Sequence, residues 1–231
     1  MIPKKIHLQW VFDELPPWAD FVVGRYHSMM PDYDIRLMTS LPDGVPDELM
    51  GFLSDERIAT ACRADLLRFW TLSTEGGFYA DFDSIPLKPF DDLCGHGFVC
   101  AWANGRPGKS TAGGHGWIDC CLLGSEAGHP FWNVVFERCR DHASWRQANA
   151  WFAPVNTFPM REMESYGVTM LDDAIQEVTQ SRREGFFDGF AGEEPSGDGY
   201  IRHFRMTEVL NARMGQENHW RTKTWKDIYG G

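Results

Sequence analysis

The chain has 231 residues, 43% of them hydrophobic and 14% aromatic, and a formal net charge of −11. This composition provides a buried core and excludes global disorder. The acidic balance argues against a nucleic-acid partner, because the longest basic cluster is only Arg182-Arg183.

No apolar run approaches the roughly 18 residues of a membrane-spanning helix, so no membrane span is expected. The opening MIPKKIHLQW turns polar too quickly for a signal peptide. A cytoplasmic, reducing setting follows, with Cys62, Cys94, Cys100, Cys120, Cys121 and Cys139 free. Cys94, His96 and Cys100 do not have the spacing of a zinc site and read as loop and core residues.

In chain order, Lys5 to Val11 reads as a first buried strand. Pro16-Pro17 breaks the chain before a helix over Trp18 to Met30. Tyr33 to Met38 alternates as a strand, and Asp47 to Leu53 is a short helix after the Pro- and Gly-rich loop at 42–46. Ile58 to Thr74 carries the strongest helical periodicity, and Gly76-Gly77 stops it. Phe78 to Phe82 follows as a compact apolar strand, and Pro86 and Pro89 keep it from continuing as a central strand. Phe98 to Ala103 is a strand, Asn104 to Gly116 a Gly-rich loop, and Trp117 to Leu123 another strand. Phe131 to Asp141 is helical and Trp145 to Pro159 mixed. Val168 to Leu171 reads as a strand, Asp172 to Ser181 as a helix, Phe186 to Gly199 as loop, and Tyr200 to Gly231 as a polar tail. Alternating strands and helices predict an α/β layer fold. With no repeat and no long linker, residues 1–231 read as a single domain.

The chemistry concentrates at Asp81-Phe82-Asp83. Residues i and i+2 of a strand face the same side, so both carboxylates can address one cation. Hard oxygen ligands suit Mg²⁺ or Mn²⁺, which also take phosphate oxygens. An Asp-x-Asp triplet alone is commonly a solvated turn. This one follows an apolar strand at a sheet edge, where α/β folds bind ligands. One helix earlier, Asp65 and Arg68 share a face at i, i+3. They read as either a plain surface ion pair or a grip on sugar hydroxyls. Lys109 and Ser110 lie in a Gly-rich loop but do not meet the P-loop pattern. Of the ten Trp residues, Trp70, Trp117 and Trp132 read as core.

Arg63-Ala-Asp-Leu-Leu-Arg68 followed by Gly76-Gly-Phe-Tyr-Ala-Asp-Phe-Asp83 resembles the DXD sugar transferases of the capsular-polysaccharide and yeast mannosyltransferase type. It is also similar to α-1,4-galactosyltransferases and the large clostridial glucosylating toxins. Ile2 to Trp10 resembles the family's first strand, Leu122 to Trp132 its "G-H-P-f" segment, and Asn218-His-Trp220 with Thr224-Trp225 its C-terminal pattern. This chain departs from the family at Ala64, where the family has Ser, and at Ile118-Asp119, where it often has an Asn pair.

The resemblance implies a GT-A, Rossmann-like fold and retaining transfer of a hexose from a nucleotide sugar, UDP-sugar first, to a hydroxyl of a glycan-like acceptor. It implies that His7, Leu8, Gln9 and Trp10 hold the nucleobase. Asp65, Arg68, Tyr79, Asp81, Phe82, Trp220 and Trp225 would complete the donor site. Asp83 would bind the Mn²⁺ or Mg²⁺, with His219 closing the metal shell and His203 as its competitor. Asp119 would face the acceptor or the donor sugar, and Asp81, Asp83 and Arg68 would be the catalytic set. The alternatives are a metal-dependent nucleotide-sugar hydrolase, or a non-catalytic sugar-binding module suggested by the Trp content.

Overall fold

The computed structural model describes residues 1–11, 14–16, 18–56, 58, 60–102, 118–141, 160–177 and 198–203. Strands β1 (Lys5–Gln9), β2 (Asp34–Met38), β3 (Gly77–Ala80), β5 (Phe98–Trp102), β6 (Ile118–Ser125) and β7 (Val168–Leu171) form one sheet in the order β2-β1-β3-β6-β5-β7. Pairing is parallel for β1 with β2, β1 with β3 and β5 with β7, and antiparallel on both sides of β6. A smaller sheet holds β4 (Ser84–Pro86), β9 (Ile201–His203) and β8 (Ile175–Glu177), in that order. Helices α1 (Ala19–Met29), α2 (Asp47–Leu53), α3 (Thr60–Glu75), α4 (Phe131–Asp141) and α5 (Met160–Ser165) complete the α/β architecture that the sequence predicts.

Strands β3 and β5 of the large sheet are apolar and buried along their whole length because both faces are covered. Ile6, Leu8, Phe78, Ala80, Val99 and Ala101 pack in one core with Val22 and Tyr26 of α1 and with Ile85 and Ile201 of the small sheet. Tyr79, Phe98, Cys100 and Leu123 pack in a second core with Leu53 of α2, Leu66, Leu67 and Phe69 of α3, and Trp132 of α4. The period of two along β3 and β5 thus sorts neighbouring residues into different cores.

Helix α3 ends where the Gly-Gly turn begins, and both glycines have positive φ, +65° at Gly76 and +106° at Gly77. The Gly76 N–H donates to the Leu72 carbonyl, closing the last turn. A Cβ on Gly77 would meet the Lys5 carbonyl oxygen at 2.9 Å. Gly77→Ala is therefore expected to lower unfolding free energy by about 2–3 kcal/mol, read as a lower urea midpoint. An unchanged midpoint would contradict this turn geometry.

Three expectations change on the fold. Asp172 to Ser181 is not a helix where described: Ile175–Glu177 is strand β8, paired in parallel with β9. Asp173, with φ +49°, turns the chain ahead of it. The polar tail opens with a strand, Ile201–His203, antiparallel to β4. Strand β3 ends at Ala80, so the acidic triplet sits in the turn between β3 and β4 rather than within a strand. Cys94, Cys100 and Cys121 are free thiols.

Candidate active site

The triplet is held from three directions. The Asp81 N–H donates to the Cys121 carbonyl on β6, and the Ser84 N–H and hydroxyl both donate to the Asp81 carbonyl. Ser84 Oγ also lies 3.0 Å from the Tyr26 hydroxyl of α1. Phe82 turns inward, 3% exposed, and packs in the first core, with its ring 5.8 Å from that of Trp10. Its side chain anchors the turn while its two acidic neighbours remain partly exposed.

Arg68 is the hub. Its guanidinium donates to the Cys120 carbonyl at 2.7 Å and pairs with Asp81 at 3.0 Å and Asp65 at 3.2 Å. It also lies over the Tyr79 ring at 4.2 Å. The Tyr79 hydroxyl donates to Asp81 Oδ1 at 2.7 Å. Helix α3 and strand β3 together aim these groups, because α3 lies against the face of the sheet that carries Tyr79. The Asp65–Arg68 pair is thus buried against the sheet, not a solvated surface pair: Arg68 is 8% exposed.

The sheet pairing brings in residues far along the chain. Ser84 lies opposite His203 in the β4–β9 ladder. His203 Nε2 is 3.1 Å from Asp83 Oδ1 and 3.6 Å from Asp81 Oδ2. Burial opposes charge on this imidazole, but Asp83 and Asp81 outweigh it and raise its pKa to about 9. Its Nδ1 is buried without a hydrogen-bond partner.

In β6 the register against β5 jumps: Cys100 pairs with Leu123 but Ala101 with Asp119. The extra residues bulge, as strands often do beside functional sites. This bulge presents the Cys120 carbonyl to Arg68 and the Cys121 carbonyl to Asp81. Asp119 Oδ1 accepts the Cys121 N–H, and its charge acts on Asp65 and His203.

Four carboxylates, those of Asp65, Asp81, Asp83 and Asp119, therefore surround one guanidinium and one imidazole. Burial, against the pull of Arg68, pushes Asp65 up to about 6. Burial, with Asp83 adding to it and Arg68 opposing it, also raises Asp81. A site that resists its own negative charge in this way fits a divalent cation. Asp83 and His203 offer the oxygen and nitrogen donors, and Asp81 lies within reach.

Other expected contacts fall differently. Gln9 and Trp10 lie at the carboxyl end of β1. Gln9 donates to the Ala64 carbonyl, and Trp10 Nε1 donates to the Glu14 carbonyl. His7 and Leu8 both have roles in the fold. His7 Nε2 is 2.8 Å from the Gly76 carbonyl oxygen, and Leu8 is fully buried in the first core. His219, Trp220 and Trp225 lie outside the described residues, as does the Gly-rich loop at 104–116. Sequence reasoning gave Cys121 no role at the site, because only the bulge turns it there.

Residues 26–98 match the family described as "Glycosyltransferase sugar-binding region containing DXD motif". No curated protein matches the chain by sequence. Among solved structures, the PaToxG glycosyltransferase is similar at 15% identity with a TM-score of 0.45, over 62% of this chain and 64% of that one. The chain thus spans less than two thirds of that protein's length. A glycosyltransferase involved in glycosylation of the major capsid of PBCV-1 shows 14% identity and a TM-score of 0.44, over 88% of this chain and 94% of that one. The galactosyltransferase LgtC, in complex with donor and acceptor sugar analogues, shows 12% identity and a TM-score of 0.45, over 94% and 99% of the two chains. Residues 26–98 are thus similar to the DXD-containing sugar-binding region described for glycosyltransferases, and the Asp81-Phe82-Asp83 triplet falls within them.

Proposed function

We propose that the chain is a metal-dependent, retaining glycosyltransferase of GT-A type. It would move a hexose from a nucleotide sugar, UDP-sugar first, to a hydroxyl of a glycan-like acceptor. The observation that carries this reading is the convergence of Asp81, Asp83, Arg68 and His203 on one point at the carboxyl end of β3. Mn²⁺ or Mg²⁺, when bound, supplies neutralising charge for a diphosphate leaving group. Asp83 and His203 are the residues that would hold it. His203 takes the place that sequence reasoning favoured for His219, because its ring already touches both acids of the triplet.

The remaining residues position the donor. Arg68 fixes the carboxylates of Asp65 and Asp81 at defined distances, so both present oxygens to sugar or ribose hydroxyls in one orientation. Tyr79 supports this by donating to Asp81 Oδ1 and leaving Oδ2 for other contacts. Gln9 and Trp10, at the carboxyl end of β1, would meet the nucleoside. Asp119, whose charge acts on Asp65 and His203, would face the acceptor or donor sugar.

A thermal-shift panel of nucleotide sugars with and without Mn²⁺ tests the reading. A ligand at about 100 times its Kd stabilises by about 2.7 kcal/mol, which for a chain of this size raises Tm by about 5–10 °C. The expected result is that UDP-sugar and Mn²⁺ together reach this shift and neither does so alone. Equal shifts in EDTA would favour a sugar-binding module. Release of free sugar with every acceptor tried would favour a nucleotide-sugar hydrolase.

A further inference from the structure

Cys121 has no part in the reading above, yet its side chain faces the same point. Its Sγ, a carboxylate oxygen of Asp81 and a ring nitrogen of His203 all lie within 4.8 Å of one another. Among the described residues this is the one group of three His, Cys, Asp or Glu side chains so disposed. Cys121 is 2% exposed and His203 8%. The trio is assembled by three separate elements: the β3–β4 turn, the bulged β6 and strand β9.

The chemistry of this trio differs from that of Asp83 with His203. Sulfur is a soft donor that Mg²⁺ does not seek, whereas Zn²⁺ takes Cys, His and Asp together in a tetrahedral shell. Zinc bond lengths of about 2.0–2.3 Å put neighbouring ligand atoms roughly 3.3–3.8 Å apart. The observed group needs only a modest contraction to reach that spacing. Zn²⁺ also exceeds Mn²⁺ in affinity for a given nitrogen, oxygen and sulfur set.

We propose that Asp81, Cys121 and His203 form a binding site for a thiophilic divalent cation, Zn²⁺ above all, which takes Asp81 away from the donor. Coordination releases the Cys121 thiol proton and the His203 ring proton to solvent, with no change of oxidation state. The fourth position stays open for water or a phosphate oxygen. Binding needs nothing from the transferase reading; only the inhibition that follows from it rests there.

The test uses the metal-free full chain titrated with Cd²⁺, a spectroscopic stand-in for Zn²⁺. A saturable sulfur-to-cadmium charge-transfer band is expected in the ultraviolet, displaced by Zn²⁺ and untouched by excess Mg²⁺. Cys121→Ala and Cys121→Ser should both lose it, and Cys139→Ala should keep it. His203→Gln should weaken Cd²⁺ binding by roughly a hundredfold or more, since losing even a group that merely supports a ligand costs about 10–100-fold. A wild-type chain without the band, or a band that survives in either Cys121 variant, overturns the proposal. If both Cys121 variants fail to fold by circular dichroism, unchanged Cd²⁺ affinity in folded His203→Gln overturns it instead. Should the chain transfer no sugar with any donor, the cadmium band still stands or falls by itself.

Discussion

Asp83→Asn is expected to abolish divalent-cation-dependent sugar transfer while leaving the chain folded. Asn keeps the shape of the side chain and one oxygen, but removes the charge that a cation and its diphosphate require. Electrostatic stabilisation of a leaving group by a metal contributes several kcal/mol, so turnover should fall on the order of 10³-fold or more. Stability should fall only by the lost pairing with His203, whose charge Asp83 supports. The side chain is 16% exposed and lies in a turn, so an amide there keeps access to water. The turn itself is held by the Asp81 and Ser84 backbone bonds and by the buried Phe82, none of which involves the Asp83 carboxylate. Turnover and the unfolding midpoint should therefore separate. A variant with wild-type turnover in saturating Mn²⁺ would remove Asp83 from the metal role. One that unfolds would show that the carboxylate holds the turn.

The part of the site that lies within residues 64–83 was legible because its causes are local. An apolar stripe at helical spacing, two glycines at the helix stop and a short apolar run are sufficient to produce α3, the turn and β3. The Asp65–Arg68 face follows from the helical period, and its burial from the apolar strand beside it. His203 was harder to assign. It reaches Asp83 across 120 positions through a three-residue ladder, and a strand that short has no periodic signature. Cys121 was hidden for a related reason. Its orientation depends on a register jump between β5 and β6, which a regular alternation does not encode. The misread helix at Asp172 shows tertiary structure overriding propensity. Its residues suit a helix, but pairing Ile175–Glu177 with β9 packs Ala174 and Ile175 against the first core. His7 was placed in the first strand from its apolar neighbours, but its contact with the Gly76 carbonyl spans 69 positions and has no local signature.

Arg68→Met is expected to cost more stability than any other single change at the site. Met fills much of the same volume over Tyr79, so the loss is mainly electrostatic. Removing one member of a buried charge cluster leaves its partners uncompensated, at about 3–5 kcal/mol. The side chains of Asp65 and Asp81 keep 20% and 23% exposure, which places the expectation at the lower end of that range. For a chain of this size each kcal/mol corresponds to about 2–4 °C, so Tm should fall by roughly 6–12 °C. The Cys120 carbonyl also loses its donor, which loosens the bulge that presents Cys121. Two further variants separate charge from packing. Arg68→Lys keeps the charge but is a single point donor that cannot meet Asp65, Asp81 and the Cys120 carbonyl together. It should fold near wild type and still lose most of its donor affinity. Adding Asp65→Asn to the Met variant should recover part of the lost stability, because one stranded carboxylate is then neutral. If the double change is instead additive, with no recovery, the cost lies in packing over Tyr79 and the charge account of the hub is wrong.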